Sequence, residues 1–196
     1  MADIITMIYG KIRAIVGDFA KSDFETFTYS TTSIFTLTTS NITSIDKVLK
    51  NNVELGSGEY SFDSTTNKIE ISASLASGDV IEVDFSYNKY SDTELKEYVR
   101  GALVYISVAG VCDDDYEIET NSIYPTPDNR ECDMIALVTG ILIKPDYTQY
   151  NLPNGARVIY ANRKLEKDEK INQFLNRFKH GLGVNDVIEI EYEDEI

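Results

Sequence analysis

Two hydrophobic periods alternate along this chain. Near the start, Ile5, Ile8, Ile12, Ile15, Val16 and Phe19 recur at spacings of three and four, which lays an apolar stripe along a helix that Asp3 is placed to cap. From about Phe24 to Tyr90 the period shortens to two, Thr, Ser, Phe, Tyr, Val and Ile dominate, and proline is absent. This is the pattern of a β module. Its clearest predicted strand runs from Val80 to Tyr87, where Ile81, Val83, Phe85 and Tyr87 alternate with Glu82, Asp84 and Ser86. Further strands are predicted at 25–29, 34–38, 45–50, 59–62 and 68–72. Turn residues separate them at Asn51-Asn52, Gly56-Ser57-Gly58, 64–67 and Ser77-Gly78-Asp79. Short strands at this spacing predict a small antiparallel sandwich or barrel.

The helical period then returns. Ser91 and Glu94 have capping-box spacing, and Leu95, Tyr98, Val99, Ala102, Leu103, Ile106 and Ala109 follow as one stripe. The stretch 111–129, with Asp113, Asp114, Asp115, Glu117, Glu119, Pro125 and Pro127, reads as a solvated, partly extended loop. Asp128 and Glu131 repeat the capping-box spacing ahead of a third helix through Met134, Leu137, Val138, Ile141 and Leu142, which Pro145 stops. That helix is apolar nearly all round, which places it in the middle of a bundle. A turn-rich link at 147–155 leads to a fourth helix over 162–179, with Leu165, Ile171, Phe174, Leu175 and Phe178 inside and His180-Gly181 closing it. At 184–196, Ile188, Ile190 and Tyr192 alternate with Glu189, Glu191 and Glu193 as a strand without an obvious partner among the helices.

The expected fold class is therefore α+β. A bundle of about four helices (1–23 and 91–180) is interrupted by an inserted β sandwich or barrel (24–90) and followed by an acidic C-terminal strand or arm (181–196). Polar links at Lys21 to Asp23 and Lys89 to Asp92 are expected to join the insertion.

Charge sharpens this picture. The 196 residues hold 33 Asp and Glu against 18 Lys and Arg, a formal charge of -15, which argues against nucleic-acid binding through a basic surface. The acidity is local. Segment 111–133 carries -7 and segment 180–196 carries -6, whereas 157–179 carries +4. No stretch has the apolar length of a membrane span. Asp3, Lys11 and Arg13 interrupt the N-terminal apolar pattern, so no export signal is expected there. Cys112 and Cys132 are read as two free thiols made in a reducing cytoplasm.

Candidate chemistry is sparse, and no catalytic, cofactor-binding or metal-binding residue is assigned. His180 is the single histidine, and no nucleophile elbow accompanies it. Asp113 to Asp115 lack the alternate oxygens, the central Gly and the twelfth-position Glu of a calcium loop, since Tyr124 stands at that position. Gly56 and Gly58 precede neither Gly-Lys-Ser/Thr nor a helix. Tyr29, Tyr60, Tyr87 and Tyr90 could form a sugar-stacking face or serve as core and cross-strand pairs.

The stretch VELGSGEYSFDSTTNKIEISASLASGDVIEVDFSY, followed by SDTELKEYVRGALVYIS, resembles a β module beside or within helices that recurs in tailed-bacteriophage structural proteins. With the helical stripes around it, the whole order resembles the head-tail connector (adaptor) proteins that dock below the portal. The resemblance implies a virion neck protein made in the host cytoplasm, a homo-oligomeric ring, typically a dodecamer, and no enzymatic activity. It further implies portal and tail or tail-completion proteins as partners, DNA passing through the channel without specific binding, and no membrane. Other virion roles (tail completion, baseplate, decoration) and a carbohydrate-binding adhesin-like module are the alternatives. In a ring, Glu189, Glu191 and Glu193 are expected to face Arg163, Lys164 and Lys167 of a neighbour, against the simpler reading of solvated faces with local pairs such as Glu166 and Lys170. The candidate interaction segment is Val187, Ile188, Glu189, Ile190, Glu191 and Tyr192, expected to add as a strand to the sheet edge of a neighbour or of another virion protein.

Overall fold

Alternation with period two folds residues 19–91 into a unit of their own. The computed structural model describes residues 3–112, 115–119, 122–160, 165–179 and, for the backbone alone, 187–190. The β unit comprises β1 (Lys21–Thr28), β2 (Ile34–Thr36), β3 (Ile42–Lys50), β4 (Val53–Glu54), β5 (Tyr60–Asp63), β6 (Lys68–Ile71) and β7 (Val80–Tyr87). They form two antiparallel sheets, ordered β1-β7-β3-β4 and β2-β6-β5. Phe35, Ile69 and Ile71 from one sheet meet Ile42, Val48, Ile81, Val83 and Phe85 from the other in a single buried cluster, so the unit is a sandwich.

Turn chemistry sets the strand register. Asn51 and Asn52 both take positive φ, 49° and 65°, and join β3 to β4 with Lys50 opposite Val53, the two-residue turn that matches strand twist. Asp79 accepts from the Ala76 amide at 2.8 Å, the Asn51 amide group at 2.7 Å and the Lys50 ammonium at 3.1 Å. These bonds, led by the Ala76 amide, lower its pKa to about 2. Lys21 to Asp23, expected as a polar link, are the first residues of β1 and pair with Tyr87, Ser86 and Phe85. The sheet draws them in because β7 is long enough to offer them partners.

Residues 1–18 and 92–196 form the second unit. Its helices are α1 (Ile4–Val16), α2 (Asp92–Ala109), α3 (Asn129–Ile143) and α4 (Lys167–Lys179). Helix α3 is buried on nearly every side, from Cys132 through Ile143, and packs against the other three. Each of its buried aliphatic side chains contributes about 1.5–3 kcal/mol of transfer free energy. The Asp128–Glu131 capping box is complete, with both bonds at 2.7 Å. Asp3 stands at the N-cap of α1 but makes no side-chain cap bond. Gly17 closes α1 in the left-handed conformation, φ 69°. Asp18 then returns its amide to the Arg13 carbonyl at 2.8 Å.

Arg13 ties together the two chain segments that flank the β unit. Its guanidinium binds Asp18, which ends the first segment, at 2.5 Å, and Asp92, which opens α2, at 2.8 Å. The Asp18 side chain is only 2% exposed, whereas that of Asp92 is 72% exposed. The Asp18 bond is thus the one that satisfies a desolvated charge. Where α1 crosses α3, a Cβ on Gly140 would stand 2.6 Å from Cγ2 of Ile15, so glycine permits the close approach.

Two hairpins lie where loops were expected. In the acidic stretch, β8 (Glu117–Glu119) pairs antiparallel with β9 (Ser122–Tyr124), and Ile123 is buried. In the turn-rich link, β10 (Gln149–Asn151) pairs with β11 (Arg157–Tyr160). Tyr150, Val158 and Tyr160 are its buried residues. Strand β12 (Val187–Ile190) joins that sheet in parallel, with Val158 opposite Ile188 and Ile159 opposite Glu189. The segment therefore finds a partner strand within its own chain, where none was expected among the helices. The physical reason is that the β10–β11 hairpin, built around an Asn-Gly turn, offers a strand edge where only a link was predicted. Among the described residues, no helix is long and apolar enough to cross a membrane.

Candidate functional site

Helix α2 sends Leu95, Val99, Ala102, Leu103 and Ile106 inward. At 100° per residue, Val104 and Val108 fall on the opposite side, four residues apart. They are 63% and 84% exposed, an aliphatic pair on an outer helix face. Beside them Ser107 donates from its hydroxyl to the Asp115 carboxylate at 2.6 Å, which fastens the acidic segment along the helix. The result is a groove of about 570 Å³ between α2 and β8. Val104, Val108 and Leu103 supply its apolar side, and Asp115, Glu117 and Ile118 the other. At one end Arg100 pairs with Glu97 at 2.6 Å, so local neutralisation leaves the acid at Asp115 and Glu117 dominant.

Positive charge gathers at the carbonyl end of α4. Arg177 and Lys179 lie exposed in its last turn, where cations complement the helix dipole. Arg130 stacks its guanidinium 4.4 Å from the Phe178 ring centre and donates to the Phe178 carbonyl at 2.9 Å. That contact fixes a third cation beside the other two.

Lys170 belongs to the interior instead. It is 1% exposed and donates to the carbonyls of Pro145 and Tyr147, just beyond the end of α3. Burial lowers its pKa, and the nearby Asp146 carboxylate partly opposes the shift. The expected Glu166–Lys170 pair is thus corrected: the ammonium points inward, where it satisfies loop carbonyls that would otherwise be desolvated. Tyr160 donates to the Lys170 carbonyl at 2.7 Å and Tyr150 to the Lys144 carbonyl at 2.5 Å. Burial holds both phenols well above their usual range.

Of the residues expected to face a neighbour, Lys167 opens α4 and is exposed, and Val187, Ile188, Glu189 and Ile190 form β12. Arg163, Lys164, Glu191, Tyr192 and Glu193 lie outside the described residues, as do His180 and Gly181. The structure therefore brings Val187–Ile190 to β11 and leaves the expected charge pairing beyond view. The groove was missed in the sequence because Val104 and Val108 lie off the dominant stripe of α2. Their spacing of four was the one sequence signal of the groove's apolar side.

The tyrosines considered for sugar stacking have other tasks. Tyr29, Tyr60 and Tyr87 pack against the sandwich core, and Lys89 lies 5.1 Å from the Tyr90 ring centre. Burial pushes the thiols of Cys112 and Cys132 up to about 11, so neither holds appreciable thiolate at neutral pH. Among the described residues, no three His, Cys, Asp or Glu side chains converge to hold a metal ion. What this surface can do chemically is bind a partner by apolar and charge complementarity. No protein-family model matches the chain, and no curated protein sequence matches it.

Proposed function

We propose that this chain is a non-enzymatic virion structural protein: a head-tail connector (adaptor) that forms a ring below the portal, extends the DNA channel and offers a platform for the tail. The observation that carries this reading is the pairing, on one helical unit, of an acidic groove with exposed aliphatics and a basic helix end. Surfaces of opposite sign on one protomer suit head-to-tail association, and such contacts close into rings when the rotation allows. The resemblance in element order supplies the virion context. Surplus acid toward a channel repels phosphate and lets DNA slide without adhering.

Gold-labelled antibody against the chain, applied to disrupted and intact virions of the encoding phage, tests the assignment. Label at the head-tail junction supports it. Label at the baseplate or over the capsid shell shifts the chain to another virion role, and virions without label overturn the reading.

A further inference from the structure

The groove between α2 and β8 lacks a stated occupant, and its chemistry specifies one. One side is aliphatic, with Val104 and Val108 exposed a full helical turn apart. The other presents Asp115 and Glu117, and Asp115 is held in place by the Ser107 hydroxyl. Covering this exposed valine pair removes apolar surface from water, and the carboxylates beside it select a cationic partner. The chain itself carries such a surface. The last turn of α4 displays Arg177 and Lys179, and Arg130 is fixed beside them by its stack on Phe178. The partly exposed Phe178 ring, in contact with Arg130 and with Phe174 (ring centres 5.9 Å apart), adds apolar area to that surface.

We propose that the α2–β8 groove of one copy receives the basic end of α4 from a second copy. The contact is heterologous, because the donor and acceptor surfaces are different patches of the same protomer. An open oligomer therefore keeps one free groove at one terminus and one free basic end at the other, and association propagates until the ring closes. Asp115 and Glu117 face Arg177 and Lys179 across the joint, while Val104 and Val108 are covered by the aliphatic stems of those cations and the edge of Phe178. The proposal rests on the connector reading for the closed ring, but the joint itself is a statement about two copies alone.

Charge reversal in complementary halves tests it. One variant carries Asp115→Lys with Glu117→Lys, so both of its surfaces are basic. The other carries Arg177→Glu with Lys179→Glu, so both are acidic. Far-ultraviolet circular dichroism checks that each keeps the wild-type helix content, and Val104→Ser with Val108→Ser provides a charge-neutral third variant at exposed positions. Particle mass is measured for each full-length chain at low and at physiological salt. The proposal expects the wild type to assemble, each charge variant alone to fall to the 22.1 kDa protomer, and an equimolar mixture of the two to regain assembly. The serine variant should need at least tenfold more protein to assemble.

Assembly that persists in either charge variant, or that is lost in both and not restored by mixing, overturns the proposal. So does a wild type that stays at the protomer mass at high concentration and low salt. In each of those cases the gold-label experiment still decides the connector reading by itself, so the two can fail separately.

Discussion

Replacing Gly140 by alanine perturbs the tightest crossing in the helical unit. The new Cβ would lie 2.6 Å from Cγ2 of Ile15, with the Cβ of Ile15 at 3.6 Å and Cγ1 of Val16 at 4.0 Å behind it. Carbon pairs rest near 3.5–4.0 Å, so α1 must retreat by roughly 1 Å. Ile15 cannot rotate aside, because a β-branched side chain has essentially one rotamer in a helix. Overpacking of this kind costs about 1–3 kcal/mol, and alanine returns about 1 kcal/mol of helix propensity. The net expectation is a loss of up to about 2 kcal/mol. Gly101 in α2 is the control: its added Cβ would meet only Leu142 Cδ1 at 3.5 Å, an ordinary contact. Gly101→Ala should therefore stabilise by up to about 1 kcal/mol. Urea unfolding followed by far-ultraviolet circular dichroism reads both, since the helices dominate that signal. A cycle with Ile15→Leu, which moves the branch away from Cβ, should recover most of the Gly140→Ala loss. If Gly140→Ala matches or exceeds the wild type, as Gly101→Ala is expected to do, the close-approach reasoning is wrong.

Other expectations concern charge and pH. Arg13→Ala takes the guanidinium away from the desolvated Asp18 carboxylate, so it should cost about 2–3 kcal/mol, somewhat under a fully buried pair because the guanidinium is 18% exposed. Asp92→Asn should cost less than about 1 kcal/mol, because its carboxylate is largely in water; equal losses in urea unfolding would contradict the asymmetry. Asp79 has a pKa lowered from 3.8 to about 2, so its contribution to the β unit is present above pH 4 and disappears as the pH falls toward 2. Protection of the β7 amides, expressed relative to intrinsic exchange at each pH, should fall over that window in the wild type and vary less with pH in Asp79→Asn. At the alkaline end, Tyr9 is raised from 10 to about 12 and Tyr150 and Tyr160 are raised as well, chiefly by burial. Raised folded-state values mean stability that is fully present below pH 10 and lost above it. Tyrosinate absorbance should therefore show a late group of phenols ionising together with unfolding, and a single smooth titration of all 13 tyrosines would refute their burial.

How much of this was legible in the sequence depends on the length of each pattern. Strand β7 was read at its true limits, because four inward apolar residues alternate with polar ones over eight positions. Helix α3 was placed in the bundle centre by its all-round apolarity, and Asp128 with Glu131 marked its start. The hairpins β8–β9 and β10–β11 were missed because strands of three or four residues carry too few alternations to register, and acidic and turn residues masked them. Their stability comes from single buried anchors, Ile123 in one and Tyr150 with Tyr160 in the other, which are tertiary facts. Missing β10–β11 in turn left β12 without a partner and suggested a neighbour's sheet edge. Lys170 was miscounted as surface charge because spacing of four from Glu166 is indistinguishable in sequence from an inward lysine bound to loop carbonyls. The segment arithmetic nonetheless located the acidic side of the groove, since Asp115 and Glu117 belong to the most acidic stretch of the chain. Charge counts find such a surface. They cannot find Val104 and Val108, whose meaning depends on which side of α2 the bundle covers.

Particle mass of the 196-residue chain, alone and mixed with the portal protein that the connector reading proposes as its partner, tests that reading most directly. A closed ring, visible by negative stain and integral in multiples of the 22.1 kDa protomer, is the predicted result in at least the portal-containing sample. A chain that stays monomeric in both samples, without binding the portal, contradicts it.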